Sequence, residues 1–238
     1  MIPRSSMRRP ARRATALLCL ALGPGCSGAD GADADRPGAS TAQAAASAAG
    51  GVTARGASGQ YDLGDYFLYG EVVNGLDVPI YDVELGITYL DSAGTTLATD
   101  EGGVVLARVE PRSTAPFVDT HYGAPEGIRR AAVTATKWAT ESRLEYRPVT
   151  ILDDTAYLGV SGVVVTGRVR NDAGGPLSAV KLVASFRNRA GEVVGVFFDY
   201  PLIGAMQPGR TVDFTIETID ETIADAAVRV QGEGTLDK

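Results

Sequence analysis

The chain has 238 residues, and 22 Lys or Arg against 29 Asp or Glu give it a formal charge of −7 at pH 7. An acidic chain is a poor candidate for nucleic-acid binding, which needs a basic surface. Its sequence contains no apolar run of about 20 residues, the length that an ordinary transmembrane helix needs.

The N-terminus has the three-part plan of a secretory signal peptide. Residues 1–25 contain five arginines and no acidic residue, then an apolar run over 14–22, then small and turn-forming residues that end before Cys26. A positive start, a short apolar core and small residues are typical of a segment that is removed on export. The alternative interpretation is a basic disordered tail.

The position of Cys26 predicts a lipid anchor. Small residues followed by Cys resemble a bacterial lipobox, although Leu22 lies four residues before Cys26, where the usual pattern has Leu three before, and Pro24 intervenes. We expect cleavage before Cys26 and lipidation of its sulfur, so that the protein contacts a membrane of the cell envelope through lipid alone. Without lipidation the protein would be secreted or periplasmic.

Removal of residues 1–25 makes the chain more acidic and leaves its domains without cysteine. Lys plus Arg falls from 22 to 17 against 29 Asp plus Glu, so the formal charge changes from −7 to −12. The two cysteines, Cys19 and Cys26, both lie in the signal region. The sequence therefore predicts no disulfide and no cysteine metal site in the domains, which core packing alone must stabilise.

Residues 26–58 have the composition of a disordered tether. The segment is rich in Ala, Gly, Ser and Asp, and Val52 is its only large hydrophobic residue. Such a segment cannot bury enough apolar surface to offset the entropy lost on ordering. We therefore predict a flexible connection between the anchor and a first domain that begins at residue 59.

The second half of the chain repeats the first half 97 residues later. The repeated positions are turn formers and alternating apolar sites, among them Gly70 with Gly167, Asn74 with Asn171, Pro79 with Pro176, Tyr89 with Phe186, Pro111 with Pro208 and Phe117 with Phe214. A duplicated pattern of turns and core positions specifies a fold rather than a chemistry. It predicts two domains, over 59–142 and 143–238.

The hydrophobic pattern of both halves has a period of two, which is typical of strands. Residues 83–89 alternate apolar and polar or small side chains, as do 180–186, and an Asx-to-Gly turn follows each segment at 91–94 and 188–191. Returning strands are predicted near 95–99 and 193–198, and further strands near 115–118 and 211–216. Several short strands between turn signals predict two all-β, antiparallel sandwiches.

Last strands are predicted near 130–138 and 226–230. The similar triplets at 131–133 and 226–228 align only if the loop before them differs by two residues between the halves. No segment has the pattern of a helix of 12 or more residues, and single helical turns are expected at most at 124–130 and 219–226.

The first half resembles an FxLYD domain. The resemblance rests on Gly70–Asn74, the strand Val83–Leu90 with Asp91, then Gly94, Pro111, Thr114 and Phe117. The second half is similar but has Phe186-Arg187-Asn188 where the first has Tyr89-Leu90-Asp91. The resemblance covers about 60–137 and 158–232. It implies small immunoglobulin-like sandwiches in exported or envelope-anchored prokaryotic proteins, with no catalytic residues.

The residues offer little to catalysis, so we predict that the protein is not an enzyme and has no cofactor. His121 is the only histidine, and it lies in a probable loop without a Gly-x-Ser-x-Gly motif. One histidine cannot form a histidine metal cluster. The acidic pairs, such as 153–154 and 220–221, lack the spacing of a calcium loop and are interpreted as solvated turns.

Two aromatic features point to contacts with protein. Trp138 lies where the first domain ends, and we expect it to pack at the joint between the domains rather than to face a ligand. In the strand 66–73, alternation assigns Phe67, Tyr69 and Val73 to the face away from the core. An outward aromatic pair predicts a protein contact, and the alternative is that the tether, a flanking strand or the other domain covers this face.

The sequence favours a non-enzymatic, exported and lipid-anchored envelope protein. Its two β-sandwich modules would serve protein interaction or act as a structural spacer, with an envelope protein as the partner and no nucleic acid or small molecule. The alternative is an accessory or substrate-binding subunit of an exported enzyme or transport system, for which a deep pocket with convergent polar groups would be expected.

Overall fold

A computed structural model describes residues 51–201 and 204–236, and these residues contain strands, turns and irregular segments but no helix. The predicted all-β sandwich fold class is confirmed. The first half contains seven strands: β1 (Val52–Asp62), β2 (Asp65–Asn74), β3 (Ile80–Leu90), β4 (Thr96–Gly103), β5 (Arg108–Val109), β6 (Thr114–His121) and β7 (Arg130–Ala139). The second half contains another seven: β8 (Tyr146–Pro148), β9 (Thr150–Leu158), β10 (Val163–Arg170), β11 (Leu177–Arg187), β12 (Val193–Asp199), β13 (Thr211–Glu217) and β14 (Ala227–Leu236).

The predicted signal peptide, Cys26 and the tether up to residue 50 lie outside the described residues. The tether prediction was wrong at its end, because β1 begins at Val52, seven residues before the expected boundary at 59. Val52, Ala54 and Ala57 are buried in this strand. Within the described part of the chain, no helix is long and apolar enough to cross a membrane.

Each half pairs its strands in the same order. In the first half β2 lies between β1 and β6, and β3 lies between β4 and β7. In the second half β10 lies between β9 and β13, and β11 lies between β12 and β14. Alternate side chains of β3 are buried, as the period of two requires, whereas β11 is buried on both faces over residues 182–186.

The register between the halves stays at 97 residues through the last strands. Ile87 pairs with Val133, and 97 residues later Ala184 pairs with Val230. The predicted two-residue length difference was therefore wrong. Small apolar triplets recur at more than one spacing in these strands, so local similarity alone could not select the register.

Two buried asparagines, Asn74 and Asn171, tie the same loop in each half. The Asn171 side-chain amide donates to the carbonyls of Gly175 at 3.0 Å and Met206 at 2.7 Å, and its oxygen accepts the Ala173 N–H at 2.8 Å. Asn74 makes the bonds expected from the 97-residue shift. Asn satisfies buried donors and acceptors at once, so no apolar residue could replace it here.

A bulge is repeated as well. Asp82 and Ala179, which are 97 residues apart, have φ angles of 50° and 46°. Each lies where the register of its strand shifts, between Tyr81 and Glu84 in β3 and between Ser178 and Lys181 in β11. An extra residue in the left-handed region is typical of a β-bulge, which bends the strand locally.

Each half has its own cluster of buried hydrophobic residues. Tyr89 and Phe186 are fully buried at equivalent positions, as predicted. Three valines of the second half, Val183, Val193 and Val196, nevertheless belong to the cluster of the first half. The halves are therefore packed against each other, and the described residues 51–201 and 204–236 belong to one compact unit.

A strand contact joins the sheets of the two halves. β1 meets β12 in parallel at Ala57 and Val193, and the Ser58 hydroxyl donates to the Val193 carbonyl at 2.5 Å. The resulting seven-stranded sheet has the order β6-β2-β1-β12-β11-β14-β8. Whether each half would fold alone stays a prediction.

Candidate functional site

The predicted contact surface on β2 is covered inside the molecule. Tyr69 is buried, and Phe67 is partly buried against the hydrophobic cluster of the first half. Val73 is only partly exposed. The outward patch was therefore wrong, because β12 of the second half packs against β2 and contributes Val193 and Val196 to the same cluster.

The environment of Tyr69 shows the same burial of this face of β2 by the second half. Burial raises the pKa of the Tyr69 hydroxyl to about 12, and the negative charge of Asp220 in the second half adds to the effect. Because the fold buries its ring, Tyr69 is not a freely solvated contact residue. Alternation assigned the strand face correctly but could not show what lies against it.

A buried carboxylate joins the halves at Glu71. Its side chain is only 4% exposed and lies between Arg187 of β11, which donates to Oε2, and Arg55 of β1, whose Nε lies 2.9 Å from Oε1. Burial alone would raise the pKa of Glu71, but the hydrogen bonds and charges of Arg187 and then Arg55 outweigh it and lower the pKa. Glu71 is therefore a charged anchor of the joint.

A second buried carboxylate, Glu233, reaches from β14 into the first half. It accepts the backbone N–H groups of Ala107 at 2.6 Å and Arg108 at 3.0 Å. Burial raises the pKa of Glu233, and the two backbone hydrogen bonds only partly oppose it. Nearby, Lys181 donates to the Val105 carbonyl at 3.0 Å, so two strands of the second half bind one loop of the first.

A small cavity of about 200 Å³ lies at this joint, lined by Glu233, Gln231 and Ile151 of the second half and by Leu106, Arg108 and Glu110 of the first. Its charged groups already have partners. Arg108 donates to Glu110 Oε2 through Nη2 at 2.9 Å and to the Tyr146 carbonyl through Nη1 at 3.0 Å. The arrangement stabilises the joint and offers little to a large ligand.

The prediction that His121 lies in a loop was wrong. His121 is the last residue of β6. Its Nδ1 is 2.5 Å from Asp100 Oδ2, and its ring centroid lies 5.2 Å from that of Tyr89. The Tyr89 hydroxyl donates to Asp119 at 2.5 Å. Burial, followed by the charge of Asp100, raises the pKa of Asp119, and burial also raises the pKa of Tyr89.

This group of four side chains has the carboxylate and imidazole of a catalytic dyad but not its nucleophile. Among the described residues, no serine or threonine hydroxyl is hydrogen-bonded to His121, whose hydrogen-bond partner is Asp100. The same described residues contain no group of three or more His, Cys, Asp or Glu side chains that is placed to hold a metal ion. The geometry therefore supports a structural polar cluster beneath the end of the sandwich.

Trp138 lies in β7 and packs, partly exposed, against the hydrophobic cluster of the first half. Its contacts are those of a residue at the margin of a core.

The acidic residue Asp153 pairs with Arg168 on the surface of the second half, with Asp153 Oδ2 at 2.9 Å from Arg168 Nε. The charge of Arg168 and its hydrogen bonds lower the pKa of Asp153, as in a solvated ion pair.

Sequence reasoning missed an exposed apolar apex that each half carries. The first apex consists of Tyr61, Leu63 and Tyr122, and the second apex of Leu158, Val160 and Ile219. Every member of the second lies 97 residues after a member of the first. The side chains of Leu63 and Val160 are 99% and 100% exposed, and those of Tyr122 and Ile219 are 79% and 89% exposed.

Each apex is built from a hairpin tip and the end of a neighbouring strand. In the first half, Ala124 N–H donates to the Gly64 carbonyl at 2.9 Å, which holds the loop after β6 against the β1–β2 tip. In the second half, Thr218 N–H donates to the Val163 carbonyl at 2.9 Å, with the same result for β13 and the β9–β10 tip. The spacing of 97 residues was the signal that could have linked these turn hydrophobes.

Leu63 adds local strain to the first apex. Its φ is 49° and that of Gly64 is 92°, so both central residues of the hairpin turn are left-handed. Asn, Asp or Gly is preferred in such a turn, and a leucine there costs about 1 kcal/mol or more. A large apolar residue that is strained and fully exposed at once indicates a surface made for contact.

Comparisons with known proteins do not assign the chain to a family. No family model matches it, and no curated protein matches it. Among solved structures, a red sea bream transglutaminase matches 69% of this chain and 27% of its own chain, with 11% sequence identity and a TM-score of 0.21. A TM-score this low carries no argument about fold or activity.

Proposed function

We propose that the protein is a non-enzymatic, exported and lipid-anchored envelope protein that presents two related β-sandwich repeats for interaction with another protein. The N-terminal pattern up to Cys26 supports export and anchoring. The resemblance to FxLYD domains, carried by Gly70–Asn74 and Val83–Asp91, supports an envelope location and stays a prediction. In this proposal the chain before β1 connects the anchor to the repeats.

The observation that best supports binding to another protein is the exposed apolar apex that both halves share. Of the large hydrophobic side chains exposed in the described part of the chain, six form three pairs at the repeat spacing. Scattered exposed hydrophobes are ordinary, but the same three positions in both halves are not expected from chance exposure. Tyr61 also packs against Tyr66 and donates to the Pro125 carbonyl. The four most exposed members, Leu63, Tyr122, Val160 and Ile219, bury apolar surface only when a partner covers them.

The charges around the apices indicate the kind of partner. Asp62 and Asp65 flank the first apex, and Asp220 and Glu221 follow Ile219 at the second. An apolar centre with an acidic rim is complementary to an apolar pocket surrounded by Lys or Arg. We therefore propose that the partner is a protein with basic residues around such a pocket.

The second candidate function is an accessory or substrate-binding subunit of an exported enzyme or transport system. The joint cavity is the observation that favours it, because residues of both halves line it. Its volume of about 200 Å³ is below the roughly 300–1,000 Å³ of usual ligand sites. The apices therefore support protein interaction better than the cavity supports ligand binding.

Mass spectrometry of the protein isolated from envelopes tests the anchor. We expect a chain that begins at Cys26 and carries acyl groups, and we expect Cys26→Ser to move the protein from the membrane fraction to the soluble fraction. An unmodified N-terminus elsewhere, such as near Ala29, would contradict the anchor and leave export standing.

Affinity capture from detergent-solubilised envelopes tests the apices. The variant Leu63→Ser/Tyr122→Ser and its counterpart Val160→Ser/Ile219→Ser should each stay folded and recover less of the same protein than the parent chain. Val78→Ser is a matched control, because Val78 is an exposed hydrophobe that belongs to neither apex. Equal recovery of every captured protein by all four chains would contradict the proposed function.

A further inference from the structure

Strand β9 is the open edge of its sheet, whereas the equivalent edge of the first half is covered. β9 pairs with β10, and it has no second ladder partner among the described residues. In the first half, the corresponding strand β1 meets β12 at Ala57, and the adjacent Ser58 also bonds to Val193. A free edge exposes unpaired N–H and C=O groups that can pair with another strand.

Apart from a bulge at Leu152, where the pairing with β10 shifts register, β9 has few of the features that usually protect an edge. Eight of its nine residues are exposed, and the strand contains no lysine and no proline. Of its two acidic side chains, Asp153 is paired with Arg168. The apolar side chains of Leu152, Tyr157 and Leu158 are exposed beside it. A long, exposed and partly apolar edge is an expected site of strand association.

We propose that β9 pairs with β9 of a second copy of this chain in an antiparallel, two-fold symmetric dimer. When a strand pairs antiparallel with a copy of itself, a residue whose N–H and C=O point outward must face another residue of that type. The two-fold axis therefore lies at one residue, which faces its own copy. An axis at Thr155 places Asp154 opposite Ala156 and Asp153 opposite Tyr157.

Charge selects this register over its neighbour. An axis at Asp154 would place the two Asp154 carboxylates opposite each other, which destabilises a strand pair. An axis at Thr155 has no like charges directly opposite. The net charge of each copy is negative, so the dimer strengthens with added salt because salt screens the repulsion between the copies.

This inference goes beyond the proposed function, since it concerns self-association through the backbone edge of β9, which shares only Leu158 with an apex. Sedimentation of the full-length chain, with Cys26→Ser in every variant to exclude lipid-driven association, tests it. We expect a monomer–dimer equilibrium that shifts to the dimer with concentration and with salt. Thr155→Lys places two lysines opposite each other at the axis and should abolish the dimer.

Thr215→Lys is the matched control, because Thr215 is an exposed threonine of β13, the other edge of the same sheet. This variant should dimerise as the parent chain does. Backbone hydrogen exchange of the parent chain gives an independent readout, even if Thr155→Lys fails to fold. Exchange at 153–157 should slow as concentration rises, while exchange in β13 should not. A monomer at every concentration, or equal loss of the dimer in both lysine variants, would overturn the proposal.

Discussion

Replacing Arg187 with methionine tests whether the joint between the halves depends on a buried charge. Glu71 is 4% exposed, and the variant would leave its carboxylate with Arg55, whose side chain is 60% exposed. Loss of one partner from a buried pair costs about 3–5 kcal/mol. Because Arg55 stays in place, we expect Arg187→Met to lower the free energy of unfolding by about 3 kcal/mol at pH 7.

The pH dependence follows from the lowered pKa of Glu71. A carboxylate with a depressed folded-state pKa stabilises the fold above its ordinary value of 4.5, and this contribution disappears as the pH falls through the folded-state pKa. Without Arg187, only Arg55 offsets the effect of burial, so we expect the pKa of Glu71 to rise. The difference in stability between the parent chain and the variant should therefore shrink as the pH falls through 4.5, and it should vanish once the pH is below the lowered pKa of the parent chain, where Glu71 is neutral in both.

Urea unfolding of residues 27–238, followed by the fluorescence of Trp138, measures both effects at neutral and acid pH. Arg55→Met is the matched control, since it removes the exposed partner of the same carboxylate and should cost less than about 1 kcal/mol. If Arg187→Met also costs less than about 1 kcal/mol at pH 7, or costs as much in acid, then the pair does not act as a buried charge at the joint.

Three other changes test the remaining packing and electrostatics by the same unfolding assay. Asn171→Ala would remove the amide hydrogen bonds to the Gly175 and Met206 carbonyls and leave the Ala173 N–H without its acceptor, and should cost about 2–4 kcal/mol; a cost below about 1 kcal/mol would show that the loop does not depend on it. Phe186→Ala removes a fully buried ring and should cost about 3–5 kcal/mol, which an exposed ring would not. Because burial raises the pKa of Glu233, its ionised form opposes folding. The parent chain should therefore become more stable as the pH falls towards the raised pKa of Glu233. Glu233→Gln has no group that titrates there and should lack this gain. Equal pH profiles for the two chains would contradict the last expectation.

The sequence predicted the strands because alternation and turn chemistry are local signals. Val83 to Tyr89 lie in one strand, and the 97-residue spacing fixed which positions would be equivalent. The start of β1 was missed, because Ala54 and Ala57 are too small to distinguish a buried strand from a tether. Composition reports the average polarity of a segment, while burial depends on the neighbours that the fold supplies.

The candidate site was less accessible to sequence reasoning. Alternation placed Tyr69 and Phe67 on the outward face of β2 but carried no information on the second half, which covers that face. His121 looked like a loop residue because its partner, Asp100, comes from another strand. The apices needed two observations together, the repeat spacing and the exposure of Leu63 and Val160.

The charged residues that join the two halves are not repeated at the equivalent positions. Glu71 corresponds to Arg168 in the second half, Arg187 to Leu90 in the first, and Glu233 to Thr136. Two first halves would therefore lack the arginine that neutralises Glu71, and two second halves would lack the carboxylate that Arg187 requires. The duplicated units have diverged into two complementary partners, so neither unit can substitute for the other.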